Sequence, residues 1–120
     1  MKIAVSATGQ DVESEVDPRF GRAPYFVVVD SETKAVDVVE NTQNLNLPQG
    51  AGIQAGKTIV NSGANVLLTG NCGPKAFAVL EQAGISVVIG AKGKVSEAVS
   101  AYLNGDMATA NGPNVDGHWV

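Results

Sequence analysis

Gly63-Ala64-Asn65-Val66-Leu67-Leu68-Thr69-Gly70-Asn71-Cys72-Gly73-Pro74-Lys75 passes from one glycine, through a short apolar run, to a glycine-rich turn closed by proline. Val66–Thr69 is apolar on both faces, as in a strand covered from two sides. Gly63 stands where a preceding helix wants a left-handed cap, and Pro74 where the first turn of a following helix tolerates proline. Helix, buried strand, tight turn and helix in this order predict an α/β fold. The plan recurs at Gly84-x-x-Val87 through Gly90-x-x-Gly93. The intervening side chains differ, so the two units share a structural solution and are not a repeat.

Working outward, three helical patterns appear. Ile53, Gly56 and Val60 line one side of the first, with Ile59 beside them. Ala76, Phe77, Leu80 and Ala83 line the second, and Val95, Ala98, Val99, Tyr102 and Leu103 the third. Gly63, Gly84 and Gly105 each fall just past one helix end. Strands are expected at Lys2–Thr8, at Tyr25–Val29, at an edge strand around Val36–Val38, at Val66–Thr69 and at Ile85–Ile89. Right-handed crossovers arrange them as one five-stranded mixed sheet in the order 3-2-1-4-5, strand 2 antiparallel, flanked by helices. Asn41–Gln49 reads as an Asn/Gln-rich loop and the tail from about residue 106 as irregular. All 120 residues are expected to form a single domain.

An apolar fraction of 44% and a charged fraction of 17% describe an ordinary soluble globule. No apolar run is long enough to span a membrane, and the amino terminus enters a strand directly, so a cytoplasmic protein without membrane partner is expected. The net charge of −4 speaks against nucleic acid as a partner. Lone Cys72 excludes an internal disulfide.

Parallel strands 1, 3, 4 and 5 end on one edge, where four connections meet: Gly9–Pro24, Asn41–Gly52, Gly70–Lys75 and Gly90–Lys94. Arg19, Arg22, Lys57, Lys75, Lys92 and Lys94, six of the eight basic residues, lie in or just after them. Glycine-rich helix starts with cations beside them suit an anion. The bland alternative is that glycines make the turns and lysines solvate them. Cys72, at a helix start near Lys75, is expected to have a lowered pKa and reactive thiolate character, or else to be a small apolar filler at a tight turn.

Ala51-Gly52-Ile53-Gln54-Ala55-Gly56-Lys57-Thr58 nearly spells a phosphate-binding P-loop, which makes a nucleotide- or phosphate-binding protein the alternative function. A P-loop, however, follows a strand directly and starts its helix at the Gly-Lys, whereas Ile53–Val60 already reads as helix. A nuclease would need carboxylates at strand ends that read Ala7-Thr8 and Leu68-Thr69. No base stands ready for Cys72 except His118 in the tail, so no enzyme is expected. A regulatory module without ligand is the remaining alternative.

Asp17-Pro18-Arg19-Phe20-Gly21-Arg22-Ala23-Pro24-Tyr25-Phe26, Gly52-Ile53-Gln54-Ala55, Gly70–Phe77 and the tail Gly112-Pro113-Asn114-Val115-x-Gly117-His118-Trp119 occur in that order. With these motifs the chain resembles the dinitrogenase iron–molybdenum cofactor biosynthesis family, which takes in NifX, NifB-C-terminal-like domains and the orange protein of sulfate reducers. The resemblance implies a ribonuclease-H-like fold and a non-enzymatic carrier of an anionic metal–sulfur cluster. Candidate cargoes are an iron–molybdenum cofactor precursor, an iron–sulfur cluster or a molybdenum–copper sulfide. Its partners would be cluster donor and acceptor proteins, and the chain itself a monomer. The implied contacts are Phe20, Gly21, Arg22, Asn71, Cys72, Gly73 and Pro74; Arg19, Gly52 and Lys75 in the same motifs join them as candidate site residues, with Cys72 and His118 as candidate metal ligands.

Overall fold

The computed structural model describes residues 1–41 and 51–113. Five strands, β1 (Lys2–Ala7), β2 (Tyr25–Asp30), β3 (Val36–Glu40), β4 (Val66–Leu68) and β5 (Ser86–Val88), form one sheet in the order β3-β2-β1-β4-β5. β2 pairs antiparallel with β1 and β3, while β1–β4 and β4–β5 are parallel. Order and directions are those expected. Helices α1 (Ala51–Asn61), α2 (Pro74–Gln82) and α3 (Val95–Leu103) complete the fold. Gly63, Gly84 and Gly105 have φ of 78°, 78° and 83°, the left-handed caps their positions call for.

Side chains alternate across the sheet and build two cores. Ala4, Phe26, Val28, Leu67 and Val87 meet α1 and α2 on one face; Ile3, Val5, Val27, Leu68 and Val88 meet α3 on the other. One helix cannot cover a five-stranded face, so Val36 and Val38 of edge strand β3 stay 44% and 38% exposed. Val39 is the β3 residue that packs inward, against the core under α1 and α2.

The buried side of α1 differs from the apolar periodicity. Gly52, Ala55, Gly56 and Ile59 are buried, Ile53 is half-buried and Val60 is exposed. The reason is close approach: a Cβ on Gly56 would lie 3.0 Å from Val79 Cγ1 of α2. A stripe of small residues lets α1 sit near α2, and small residues carry little weight in a hydrophobic count.

The Asn41–Gln49 loop, apart from Asn41, and the tail beyond Pro113 lie outside the described residues. Among the described residues no helix is long and apolar enough to cross a membrane.

Candidate functional site

Two connections from the ends of β1 and β4 meet directly above the sheet. Ser6, at the end of β1, donates its Oγ–H to Asp17 O at 2.7 Å and hydrogen-bonds Thr69 Oγ1, just beyond β4, at 2.7 Å. Both hydroxyls are fully buried, so their mutual bond replaces the water they lost. The loop anchored on them turns at Asp17-Pro18-Arg19, where Asp17 Oδ1 accepts Arg19 N–H at 2.9 Å, and continues into a 3-10 turn at Phe20–Arg22.

Pro18 O then accepts the Asn71 backbone N–H at 2.8 Å and its side-chain Nδ2–H at 3.1 Å, and Phe20 N donates to Asn71 O at 3.4 Å. Arg19 and Asn71 therefore pair as a parallel bridge. The two motif loops touch backbone to backbone. Gly70 makes the contact feasible: a Cβ there would lie 2.7 Å from Pro18 Cα and 3.0 Å from Pro18 O. Its missing side chain admits protein backbone. Asn41, buried at the end of β3, secures the far side by donating Nδ2–H to Ala23 O at 2.8 Å.

The remaining expected site residues divide by exposure. Phe20 is fully buried against Phe26, ring centroids 5.4 Å apart, so what it presents to the edge is backbone. Gly21 and Gly73 are buried, Arg22 is half-buried, and Arg19, Pro74 and Lys75 are exposed. Gly52 is buried in the first turn of α1, which packs against the Phe20–Arg22 turn. Arg19 Nε lies 3.8 Å from Asp17 Oδ1 while over half its side chain is exposed. Helix α2 starts at Pro74 with no side-chain cap, and among the described residues the Lys75 and Ala76 amides find no acceptor. The Lys75 amide and the positive dipole of α2 thus emerge close to the Arg19–Asn71 bridge.

Cys72 corrects an expectation. Its side chain is 0% exposed and belongs to the core under α1 and α2, where Sγ–H points to Gly73 O at 3.7 Å. Burial pushes the thiol up to about 12, because desolvation of a thiolate outweighs the helix dipole. The thiolate reading fails, and Cys72 is a filler at a tight turn.

Two of the six cations expected on this edge are engaged elsewhere. Lys94 Nζ pairs with Glu13 Oε1 at 3.7 Å. Lys57 sits mid-helix in α1 and lines a groove with Val60, Asn61, Val79 and Gln82. Since α1 is already helical from Ala51, the P-loop-like segment offers no phosphate cradle. His118 lies outside the described residues.

The profile of a known family, dinitrogenase iron-molybdenum cofactor, matches residues 1–105. The chain belongs to this family. Among solved structures it is similar to the apo form of the orange protein from Desulfovibrio gigas, with TM-score 0.93 and 49% identity over 95% of this chain and 96% of that one. A Thermotoga protein given a provisional NifB identity follows, with TM-score 0.83 and 33% identity over 97% and 98% of the two chains. An uncharacterised protein of Methanocaldococcus jannaschii is 32% identical over 110 residues, 89% of each chain.

Family membership raises a metal–sulfur cluster, and the donor set decides how one would be held. Among the described residues no three His, Cys, Asp or Glu side chains gather as a metal cage. What is present suits an intact anion: helix-start amides, a guanidinium and no accessible thiol. Ser6, Asn41 and Thr69, which help build the platform, escaped notice in the sequence. Each is a lone polar residue whose partner is distant in the chain, so no local pattern marks it.

Proposed function

We propose that the protein is a non-enzymatic carrier that binds an anionic metal–sulfur cluster where the Asp17–Arg22 and Gly70–Lys75 segments join. The observation that carries this reading is the uncapped start of α2 beside Arg19, in a chain whose family is named for the iron–molybdenum cofactor. Arg19, Arg22 and Lys75 supply positive charge, and backbone at Gly21, Gly73 and the first turn of α2 supplies N–H donors. Gly52 supports the floor from α1. His118 is a further contact to test in the tail.

Sulfide-rich clusters spread their charge over soft, weakly hydrated atoms. Amide and guanidinium donors hold such a surface without displacing sulfide. Cys72, buried and protonated, stands outside the contact set. Binding without a protein–metal bond leaves the cargo easy to pass on, which suits a monomer working between a donor and an acceptor protein. Thiomolybdate with copper(I), or an iron–sulfur precursor, incubated anaerobically with the protein should give a coloured 1:1 complex after gel filtration. A protein that emerges colourless from each incubation is not such a carrier.

A further inference from the structure

The contacts around Asp17 give it a role in placing Arg19. We infer that Asp17 is a positioning residue: through one carboxylate oxygen it fixes the Arg19 backbone against Asn71, and through its charge it weakens the cargo site it builds. This deepens the carrier reading and rests on it.

Asp17 is 4% exposed, an unusual state for a carboxylate in a loop. Its own backbone is pinned on both sides, N–H to Ser6 O at 2.8 Å and carbonyl to Ser6 Oγ at 2.7 Å. Oδ1 accepts Arg19 N–H at 2.9 Å across Pro18, a turn locked by the fixed φ of proline. Pro18 O is thereby aimed at Asn71, and Arg19 is set in register with it. The same Oδ1 lies 3.8 Å from Arg19 Nε. A negative charge this close offsets part of the guanidinium charge that an anionic cargo would feel. Geometry and charge therefore act in opposite directions on binding.

They can be separated. Asp17→Asn keeps the accepting oxygen and removes the charge, whereas Asp17→Ala removes both. Loop order is read without cargo by the rate of tryptic cleavage after exposed Arg19. Cargo affinity is read by titration with thiomolybdate and copper(I) across a salt series. Asp17→Asn should be cut at the wild-type rate and bind a few-fold tighter than wild type, with steeper salt dependence. Asp17→Ala should be cut faster and bind roughly five- to tenfold more weakly. Cleavage of Asp17→Asn as fast as that of Asp17→Ala, or wild-type rates for both, would overturn the positioning role. Unchanged or weaker binding by Asp17→Asn would overturn the charge effect. Wild-type protein that stays colourless would instead defeat the carrier reading, and the proteolysis rates would still decide the positioning role.

Discussion

The Gly70–Lys75 and Gly90–Lys94 connections read almost alike as sequence, each a Gly-x-x-Gly between a buried strand and a helix, yet the chain uses them in opposite ways. In the second, Gly90 and Gly93 have φ of 82° and 80°, so their lack of Cβ serves the backbone conformation. The helix it opens is closed by its own chain. Lys94 N–H donates to Glu97 Oε1 at 2.9 Å, Val95 N–H to Ser14 O at 2.9 Å and Ser96 N–H to Val12 O at 2.8 Å. In the first connection Gly73 has a φ of −81°, and Gly70 is needed because Pro18 lies against it. Among the described residues the Lys75 and Ala76 amides at the helix start there have no acceptor. A glycine turn before a helix is thus no binding site in itself; what matters is whether the protein has already used the donors.

Substitutions can press on that contrast. Gly70→Ala forces a methyl into Pro18 backbone and should cost about 2–3 kcal/mol, because backbone yields less readily than a side chain. Urea denaturation would measure it, and cluster binding should fall with it as the two loops part. Gly90→Ala meets no atom within 4 Å and suffers only the left-handed φ, about 1–2 kcal/mol, with binding retained. Loss of binding in both variants would erase the distinction between the loops.

Cys72 tests the first loop from beneath. Its folded pKa of about 12 lies above the ordinary thiol value of 9.0, so between these values the unfolded chain loses a proton that the folded chain keeps. Its contribution to stability is therefore intact below pH 9 and declines above it, by at most about 1.4 kcal/mol per pH unit. Cys72→Ala should flatten that decline in alkaline denaturation series. A thiol reagent at pH 8 should leave the folded wild-type protein unlabelled. The smallest effect belongs to the closed loop: Glu13→Ala breaks an exposed ion pair with Lys94 and should change stability by less than about 0.5 kcal/mol, with unchanged cargo affinity.

Features with a local cause were legible from residues alone. The three capping glycines and the position of Pro74 each follow from steric rules acting over a few residues, and the strand order from the handedness of the crossovers. The burial of α1 was not, because Gly52, Ala55 and Gly56 are buried through closeness to α2 and carry no strong hydropathy. Nor was the fate of the thiol. A helix start lowers a cysteine pKa only when solvent or a cation reaches the sulfur, and whether Cys72 points outward or into the core depends on Phe20, Ala23 and α1 arriving from elsewhere. The Pro18–Asn71 junction spans 53 residues, and only the completed sheet brings it together.

That span bears on when the protein can work. The β1–β2–β3 meander needs only the first 40 residues, but the parallel partner of β1 begins at Val66. A nascent chain that has folded its amino-terminal hairpins holds Arg19 without Asn71 beside it. Loop-closure entropy makes the β1–β4 pairing a late event. For the carrier proposed above, competence to take cargo and completion of folding then coincide, so an unfinished chain would not compete for a metal cluster.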